Sequence, residues 1–556
     1  MWMRNVVFGL TVLIGASGLG WLLSPTAVPP RGKGFDPGTV HDPEFAGVVG
    51  DVDALFTQSW DKAGVKPAPE APELAVVRRT ALALTSSVPS VQEIRQYEAA
   101  DVQGFSTPER YQWWLTDTFQ DRRSSDYLAE RLARAIVGVE DGPPFVYRRH
   151  RFTAWLSDQL AKNRGYDEIV RELIATDGFS TDKPASNFVV STLDPTNKNT
   201  PDRVRLASRT CRAFLGIRLD CAQCHNHPFE PWKQADFEGL AAFYGQVDFG
   251  FSGLYEKPGM EYEIDDKRAG TKRVVAPAAP RRKDLVPANG TRRQKLAAWV
   301  THKDNPYFTR ATVNRVWAIL FGLPLIEPVD DIGTVLGTPL EDLEPTDPRR
   351  LQRVVIDRLA EDFTAHRFDL RRLIRVVVAL KVYRLDSASP EELTEAHDRY
   401  WAAFPMTRLR SDQVAHSLLQ ACSLTTVNNE SGLLTRLAFS DQERKFIERY
   451  GDTGEDEFEG RGGTIPQRLL MMNGVLVHER TKEDFNNASS RIAQLSPNDA
   501  RAIEVAYLAT LTRRPTPEEQ QHFEKRLADS SGRTKPQALE DLYWTLLNST
   551  EFAWNH

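Results

Sequence analysis

The sequence predicts a mainly α-helical protein, in which two helical domains are joined by a short hairpin and linker and follow an N-terminal membrane anchor. Three observations support this fold class. Apolar residues recur at helical spacing through both halves of the chain. Strand-type patterning is concentrated within residues 250–289. An apolar run occupies residues 6–23, and its length reaches the short end of a bilayer-spanning helix.

Composition limits the class of protein. The 556 residues are enough for two or more domains with substantial cores. Apolar residues make up 41% and charged residues 26% of the chain, which is typical of a globular protein. The net charge of −6 provides no basic surface overall, so nucleic-acid binding is not expected. Four cysteines are too few for a disulfide scaffold.

The N-terminus predicts export. Arg4 precedes the apolar run, which favours keeping that end inside the cell and translocating the body. No clear small-residue cleavage site follows the run, so residues 1–23 are interpreted as a signal anchor, with a cleaved signal peptide as the alternative. Residues 24–48 form a spacer that is rich in Pro and Gly. We therefore expect a protein anchored in the cytoplasmic membrane, with a periplasmic or extracytoplasmic body.

Residues 49–249 form the predicted first helical domain. Ser90 and Glu93 have the spacing of a capping box that opens a helix. Thr200 followed by Pro201 is interpreted as another helix start, with Thr200 as the cap. The polar, irregular stretch 187–199 predicts a long surface loop. Further helices are expected near residues 52–60, 74–84, 110–119, 127–137 and 145–160.

A C-x-x-C-H motif follows the helix that begins after Pro201. Cys221, Cys224 and His225 have the spacing that attaches a c-type haem. In such a site, Cys221 and Cys224 form thioethers to the porphyrin and His225 ligates the haem iron. His227 is too close in sequence to reach the opposite side of the iron. It is interpreted as a neighbour that supports the ligand, or as a ligand to something else.

Haem also requires apolar walls and usually a second axial ligand. The aromatic run at 229–244 is a candidate for one wall, and Phe214 with Ile217 for the other. Taken alone, the aromatic residues are better explained by ordinary core packing. The second axial ligand is not identifiable from sequence, and each candidate has a packing or surface role as its alternative: Met260, Met406, Met471, Met472, His416 and His478.

Two other chemistries compete for the motif. One is a transition metal such as zinc held by Cys221, Cys224, His225 and His227, although structural zinc sites normally take their ligands from two separated pairs. The other is a disulfide between the two motif cysteines, although the βαβ context of redox dithiols is missing.

The remaining cysteines, Cys211 and Cys422, are interpreted as buried thiols. A disulfide between them after export is the alternative.

Residues 250–289 are predicted to separate the two domains. The runs 262–264 and 272–275 flank a polar stretch containing Gly270, which predicts a hairpin, and a linker rich in Pro and basic residues follows. The second helical domain then occupies residues 290–556. Its helices are expected near 296–300, 311–321, 351–363, 370–382, 498–511, 516–530 and 536–549.

Three carboxylates in the second half are weak candidates for catalysis. Glu327, Asp330 and Asp331 follow a break in the helical pattern and have the chemistry for acid–base work or for cation binding. The alternative is structural, with salt bridges to Arg315 and capping of the next turn.

These motifs together resemble a known family. Residues 209–216, 221–228 and 236–244 resemble the planctomycete-type cytochrome-motif domain (domain of unknown function fifteen-forty-nine). The second half resembles its usual companion (domain of unknown function fifteen-fifty-three), in the stretches 314–317, 327–331, 368–374, 465–473 and 546–552.

The resemblance covers about residues 49–249 and 290–556. It implies an exported protein that is similar to cytochromes through its haem motif and is often found beside carbohydrate-degradation functions, but it implies no settled activity. Relatives often have Asp after the motif histidine, whereas this chain has Asn226.

The expected function is that of an exported, membrane-anchored protein with covalent haem c, serving electron transfer or haem-based redox chemistry with a redox partner protein. One alternative is a polysaccharide-active hydrolase or lyase that uses Glu327, Asp330 and Asp331. The other is a non-enzymatic binding module at the cell surface, with a structural metal or no cofactor and with a broad exposed apolar patch.

Overall fold

Helices make up most of the chain in the computed structural model, which confirms the mainly α fold class. The structure describes residues 35–556 apart from 103, 140–142, 144–145, 195–199, 227–231, 267–269, 429–430, 432, 452–453, 455–457, 459–461, 485–486 and 530–533. The predicted anchor and His227 lie outside the described residues. Within the described ranges, no helix combines the length and the apolar character needed to cross a membrane.

The first half consists of helices that begin at polar caps. Asp42 accepts a hydrogen bond from the Glu44 amide at the start of α1. The predicted capping box is confirmed, because the Ser90 amide donates to Glu93 Oε2 at 2.8 Å and the Glu93 amide donates to Ser90 Oγ at 3.0 Å. The helices are α1 (Pro43–Ala63), α2 (Glu73–Thr85), α3 (Val91–Val102), α4 (Thr107–Gln120), α5 (Arg122–Val137), α6 (Arg149–Ala161), α7 (Tyr166–Ala175), α8 (Asn187–Val190), α9 (Arg203–Thr210) and α10 (Gln234–Ala241).

The strands form short antiparallel pairs. The predicted hairpin is confirmed, with Tyr262 opposite Val275 in its register. A second hairpin precedes it at residues 247–256, where the sequence pattern predicted none. The pairs are β1 (Leu193–Asp194) with β2 (Thr200–Pro201), β3 (Val247–Gly250) with β4 (Gly253–Glu256), β5 (Tyr262–Asp266) with β6 (Thr271–Val275), and β7 (Thr407–Arg408) with β8 (Trp554–Asn555).

The second half is again helical. Its helices are α11 (Arg292–Val300), α12 (Pro306–Phe321), α13 (Gly333–Gly337), α14 (Pro348–Ala365), α15 (Leu370–Ala379), α16 (Lys381–Arg384), α17 (Glu395–Arg399), α18 (Ser411–Ala421), α19 (Leu433–Tyr450), α20 (Ile465–Asn473), α21 (Val475–Thr481), α22 (Ala488–Leu495), α23 (Asp499–Leu511), α24 (Pro517–Ala528), α25 (Lys535–Leu547) and α26 (Thr550–Ala553).

Two large apolar clusters form the interior. The first, here called the first core, contains buried residues from Phe45 to Phe404. The second core contains buried residues from Leu409 to Phe552, together with Leu82, Val88 and Val91 from the first half. Helices on both sides of the hairpin segment therefore share the first core, so the predicted boundary at 250–289 separates two lengths of sequence that fold together.

Helix α12 lies at the centre of the first core. Its Trp317 is fully buried and stacks on Phe321 with ring centroids 4.3 Å apart. Trp401 meets both rings edge-on, at 5.3 and 5.2 Å. Offset stacking and edge-to-face contacts between aromatic rings add to the stabilisation from burying their area. This cluster joins α12 to the chain that follows α17.

The predicted surface loop at 187–199 is wrong for its first residues. Residues 187–190 form the buried helical turn α8. The Oδ1 atom of Asn187 accepts from the Arg148 amide at 2.9 Å, and its Nδ2 donates to the Pro184 carbonyl at 2.8 Å. A polar side chain can be buried at low cost when its donors and acceptors are satisfied, which the local sequence does not reveal.

The predicted start of α9 is displaced by two residues. Thr200 and Pro201 belong to β2, whereas Asp202 is the N-cap and accepts from the Arg205 amide at 3.0 Å. A carboxylate is as effective a cap as a hydroxyl, and pairing with β1 occupies the preceding residues.

The aromatic cluster predicts a large stability effect. Replacing Trp317 by Ala should destabilise the protein by about 3–5 kcal/mol, since it removes a fully buried ring and leaves a cavity. Urea unfolding followed by far-UV circular dichroism measures the change. Phe251→Ala is the control, because Phe251 is fully exposed at a hairpin turn and its loss should shift stability by less than about 0.5 kcal/mol. Equal shifts in the two variants would contradict this packing.

Candidate functional site

The cysteine motif follows a helix that ends at Gly216. Beyond α9 the chain continues in a wider helical turn at Cys211–Leu215, and the Gly216 amide donates to the Cys211 carbonyl. Gly216 has a φ of +61°. A Cβ atom there would lie 3.0 Å from Cγ1 of Ile332 and 3.2 Å from Cβ of Ala311. Glycine is therefore required by the left-handed backbone and by the close approach of two residues from the second half.

A short 3₁₀ turn carries the thiols. It spans Asp220–Gln223, and residues three apart share a face because a 3₁₀ helix has three residues per turn. Leu219 and Ala222 are fully buried, whereas Cys221 and Cys224 are exposed. The spacing of the motif thus places both thiols on the outer face of the turn.

His225 is exposed next to the turn. Its Nδ1 lies 2.7 Å from the backbone oxygen of Asn226. Only a protonated nitrogen can donate to a carbonyl, so this contact assigns the proton of the neutral imidazole to Nδ1. The lone pair of Nε2 then remains for a metal, and the hydrogen bond orients the ring.

Asn226 tethers the motif to helix α10. Its Oδ1 accepts from the Gln234 amide at 3.0 Å, and Gln234 Nε2 donates to the Gln223 carbonyl at 3.3 Å. An Asp oxygen would accept the same hydrogen bond, so the Asn at this position preserves the tether.

The donor groups fit a covalently attached haem. Cys221 and Cys224 are free thiols on one exposed face, and His225 offers one ring nitrogen. The predicted walls have another role, because Phe214 and Ile217 are buried in the first core, as are Phe237, Leu240, Phe243 and Tyr244 from the aromatic run. This burial matches the alternative interpretation of ordinary core packing.

The competing chemistries receive no supporting geometry from the described residues. In that part of the chain, no group of three or more His, Cys, Asp or Glu side chains is arranged to hold a metal ion. The two motif cysteines do not form a disulfide. His227, the fourth ligand of the predicted metal site, lies outside the described residues.

Cys211 and Cys422 are buried free thiols, as the sequence predicts, and they lie in different cores. Burial raises the pKa of both thiols, that of Cys422 to about 12. Neither thiol is therefore poised to react in the folded protein.

The candidates for a second axial ligand are dispersed over the molecule. His416 Nε2 lies 2.8 Å from Glu443 Oε1, and Met471 is buried in the second core. Met260 Sδ accepts from Arg203 at 3.8 Å. Met406, Met472 and His478 are exposed. The positions of these residues therefore do not identify the second axial ligand.

Two family models match the chain in tandem. The first, PSCyt2, is a protein of unknown function (DUF1549) and matches residues 51–249. The second, PSD1, is a protein of unknown function (DUF1553) and matches residues 292–527. The chain belongs to this paired-domain family. No curated protein and no solved structure matches the chain.

The acidic stretch of the PSD1 region lies beside the cysteine motif of the PSCyt2 region. Asp330 pairs with Arg218 at 2.8 Å and with Arg212 at 3.1 Å. Asp331 Oδ1 accepts from the Arg218 amide at 3.4 Å. Neither arginine was predictable as a partner of Asp330 from the sequence, because more than a hundred residues separate them from Asp330 and no local pattern relates them.

Two cavities lie apart from the motif. One of about 970 Å³ is bordered by Arg78, Tyr97, Arg513 and Trp554, among others. The other, of about 680 Å³, contains a charged cluster that the sequence did not predict, with linings that include Arg131, Asp412, His416 and Glu443. Burial raises the pKa of Asp412, but the nearby charges of Arg131 and Arg410 outweigh that effect and lower it to about 2. Neither cavity is lined by a motif residue.

The contrast between the cysteine pairs predicts their reactivity. In the reduced apoprotein, iodoacetamide should alkylate Cys221 and Cys224 readily, whereas Cys211 and Cys422 should react only after unfolding, because they are buried and their thiolates are disfavoured. Peptide mass spectrometry of alkylated samples, with and without urea, assigns the modified sites. Modification of Cys211 at the rate of Cys221 in the folded protein would contradict the described burial.

Proposed function

We propose that this is an exported, membrane-anchored protein that carries haem c at the cysteine motif and serves electron transfer or haem-based redox chemistry. The observation that carries the proposal is the placement of two free thiols and an oriented imidazole on one exposed turn. Covalent attachment needs thiols that are accessible, in contrast to Cys211 and Cys422.

Each motif residue has a distinct role in this proposal. Cys221 and Cys224 hold the porphyrin through thioethers, and His225 ligates the iron through Nε2 because Nδ1 is engaged by the Asn226 carbonyl. Bound haem supplies one-electron exchange. The exposure of the turn gives a redox partner protein access to this region.

Export supports the same proposal. Residues 6–23 have the length and apolar character of a signal anchor, and Arg4 favours translocation of the body. Haem of this type is attached outside the cytoplasm in bacteria, so the predicted location and the predicted cofactor agree. The body would then be held at the outer face of the cytoplasmic membrane.

Covalent haem is the decisive measurement. The full chain, expressed in a host with an active haem-attachment system, should show a Soret band that survives acid–acetone extraction. The double variant Cys221→Ala, Cys224→Ala should lose the band, because both thioether positions are removed. Cys422→Ala is the control and should keep it, since that thiol is buried in the second core. Colourless wild-type protein would refute the proposal.

The polysaccharide-active alternative assigns catalysis to Glu327, Asp330 and Asp331. Asp330 is held by Arg212 and Arg218, which agrees with the interpretation of these carboxylates as ion-pair partners. Both carboxylate oxygens of Asp330 are thus engaged by guanidinium groups. The alternative therefore has less support than the haem proposal.

A non-enzymatic binding module is favoured by one observation. Helix α20 exposes Ile465, Leu469 and Met472 at helical spacing, and Val475 at the start of α21 is exposed as well. Trp544 borders them and donates from Nε1 to the Met472 carbonyl at 3.1 Å. Contiguous exposed apolar side chains are typical of interaction surfaces.

The apolar face predicts dye binding. Leu469→Asp should lower the fluorescence enhancement of 1-anilinonaphthalene-8-sulfonate, because a charge then interrupts the contiguous apolar surface. Leu495→Asp is the matched control, since Leu495 is exposed on α22 outside this face. Equal fluorescence in both variants would show that the face is not a distinct apolar surface.

A further inference from the structure

Residues 330–332 of the PSD1 region meet the segment that leads to the cysteine motif. Arg218 donates to Asp330 Oδ1 through Nε at 2.9 Å, and its Nη2 lies 2.8 Å from the same oxygen. Arg212 Nε lies 3.1 Å from the other oxygen, Oδ2. One carboxylate from the second half thus joins two guanidinium groups from the first half.

Backbone contacts reinforce this junction. The Ile332 amide donates to the Gly216 carbonyl at 2.9 Å. The Ile332 side chain is fully buried and approaches Gly216 so closely that no Cβ would fit there without displacement. Asp331 Oδ1 accepts from the Arg218 amide. The chain between Arg212 and Arg218 is therefore held at its side chains and at its backbone.

The junction continues to the thiols. Arg212 Nε also lies 3.6 Å from Asp220 Oδ2, and Asp220 opens the 3₁₀ turn that contains Cys221. Leu219, between the junction and the turn, is buried in the first core. A short chain of contacts, from Asp330 through Arg212 to Asp220, therefore connects the second half to the turn that carries the thiols. The orientation of the exposed thiols depends on these contacts.

Asp330 is well suited to this role because it is largely removed from water. Its side chain is 17% exposed. The hydrogen bond that it accepts from Arg218 is charge-assisted, and such bonds are stronger than neutral ones. Loss of one member of such a group leaves the other charges without compensation. Removal of the Asp330 carboxylate should therefore destabilise the conformation of residues 212–224.

We propose that Asp330 is a positioning residue for the cysteine motif, so that the PSD1 region completes the cofactor site of the PSCyt2 region. This inference rests on the haem proposal only for the identity of the cofactor. The role of Asp330 in holding the segment before the motif does not depend on it. Asp330 acts through its contacts with Arg212 and Arg218. Its charge belongs to the contacts of the segment that leads to the motif, and charges around a haem influence its reduction potential.

The test compares two aspartates of the same kind. Asp357 in α14 also lies between two arginines, with Arg310 Nε at 2.6 Å and Arg353 Nε at 2.9 Å. Asp330→Asn and Asp357→Asn both remove a carboxylate charge and keep the side-chain size. Asp330→Asn should lower the yield of covalently attached haem about tenfold. Asp357→Asn should leave the yield at the wild-type level.

Two further readouts separate positioning from general stability. The haem that does attach in Asp330→Asn should have a raised reduction potential, because a nearby negative charge that favours the oxidised iron is lost, whereas Asp357→Asn should show the wild-type potential. Asp330→Glu keeps the negative charge and should retain more of the yield than Asp330→Asn. Far-UV circular dichroism checks that each variant is folded.

Amide hydrogen exchange in the apoprotein tests the structural part independently of haem. Exchange at residues 216–224 should become about tenfold faster in Asp330→Asn and stay unchanged in Asp357→Asn. If wild-type protein carries no haem yet the exchange rates differ as expected, the haem proposal fails and the positioning role stands. Equal exchange rates in the two variants would overturn the positioning role, whether or not haem is attached.

Discussion

The burial of helix α12 is the constraint on which the rest of the structure depends. Nearly the whole length of this helix is enclosed, so it must be covered on all sides by other elements. It packs against α14, against α2 and against the turn at Cys211–Leu215. A helix from the second half is therefore surrounded by elements from both halves, and neither half could enclose the first core alone.

The position of the cysteine motif follows from that packing. Ala311 on α12 and Ile332 beyond it both lie against Gly216, where the helix before the motif ends. The chain must turn there, and Leu219 and Ala222 then return to the core while the thiols face outward. The site is thus an exposed turn on a rigid base. A rigid base keeps donor groups in one geometry, which a covalent cofactor requires.

The segment before the turn is held by ion pairs, whereas the motif histidine is held by a hydrogen bond to the backbone. Next to the turn, Arg212 and Arg218 both face Asp330, and Arg212 also faces Asp220. Two carboxylates therefore balance the charges of two guanidinium groups that are partly removed from water. At the surface, the backbone carbonyl of Asn226 orients His225 through Nδ1. Burial raises the pKa values of the Cys211 and Cys422 thiols. The same residue type is therefore exposed in one place and buried in a core in another.

Local patterns were sufficient for much of this protein. Several features depend only on residues that are close in sequence, so the sequence by itself determined them. They are the helical periodicity, the capping box at Ser90 and Glu93, the hairpin at 262–275 and the C-x-x-C-H spacing. Tertiary structure alone decided that Asn187 is buried, that the aromatic residues after the motif belong to the core, and that Asp330 meets Arg212 and Arg218. These features depend on contacts between distant segments, and the energy of such contacts arises only when folding brings the segments together.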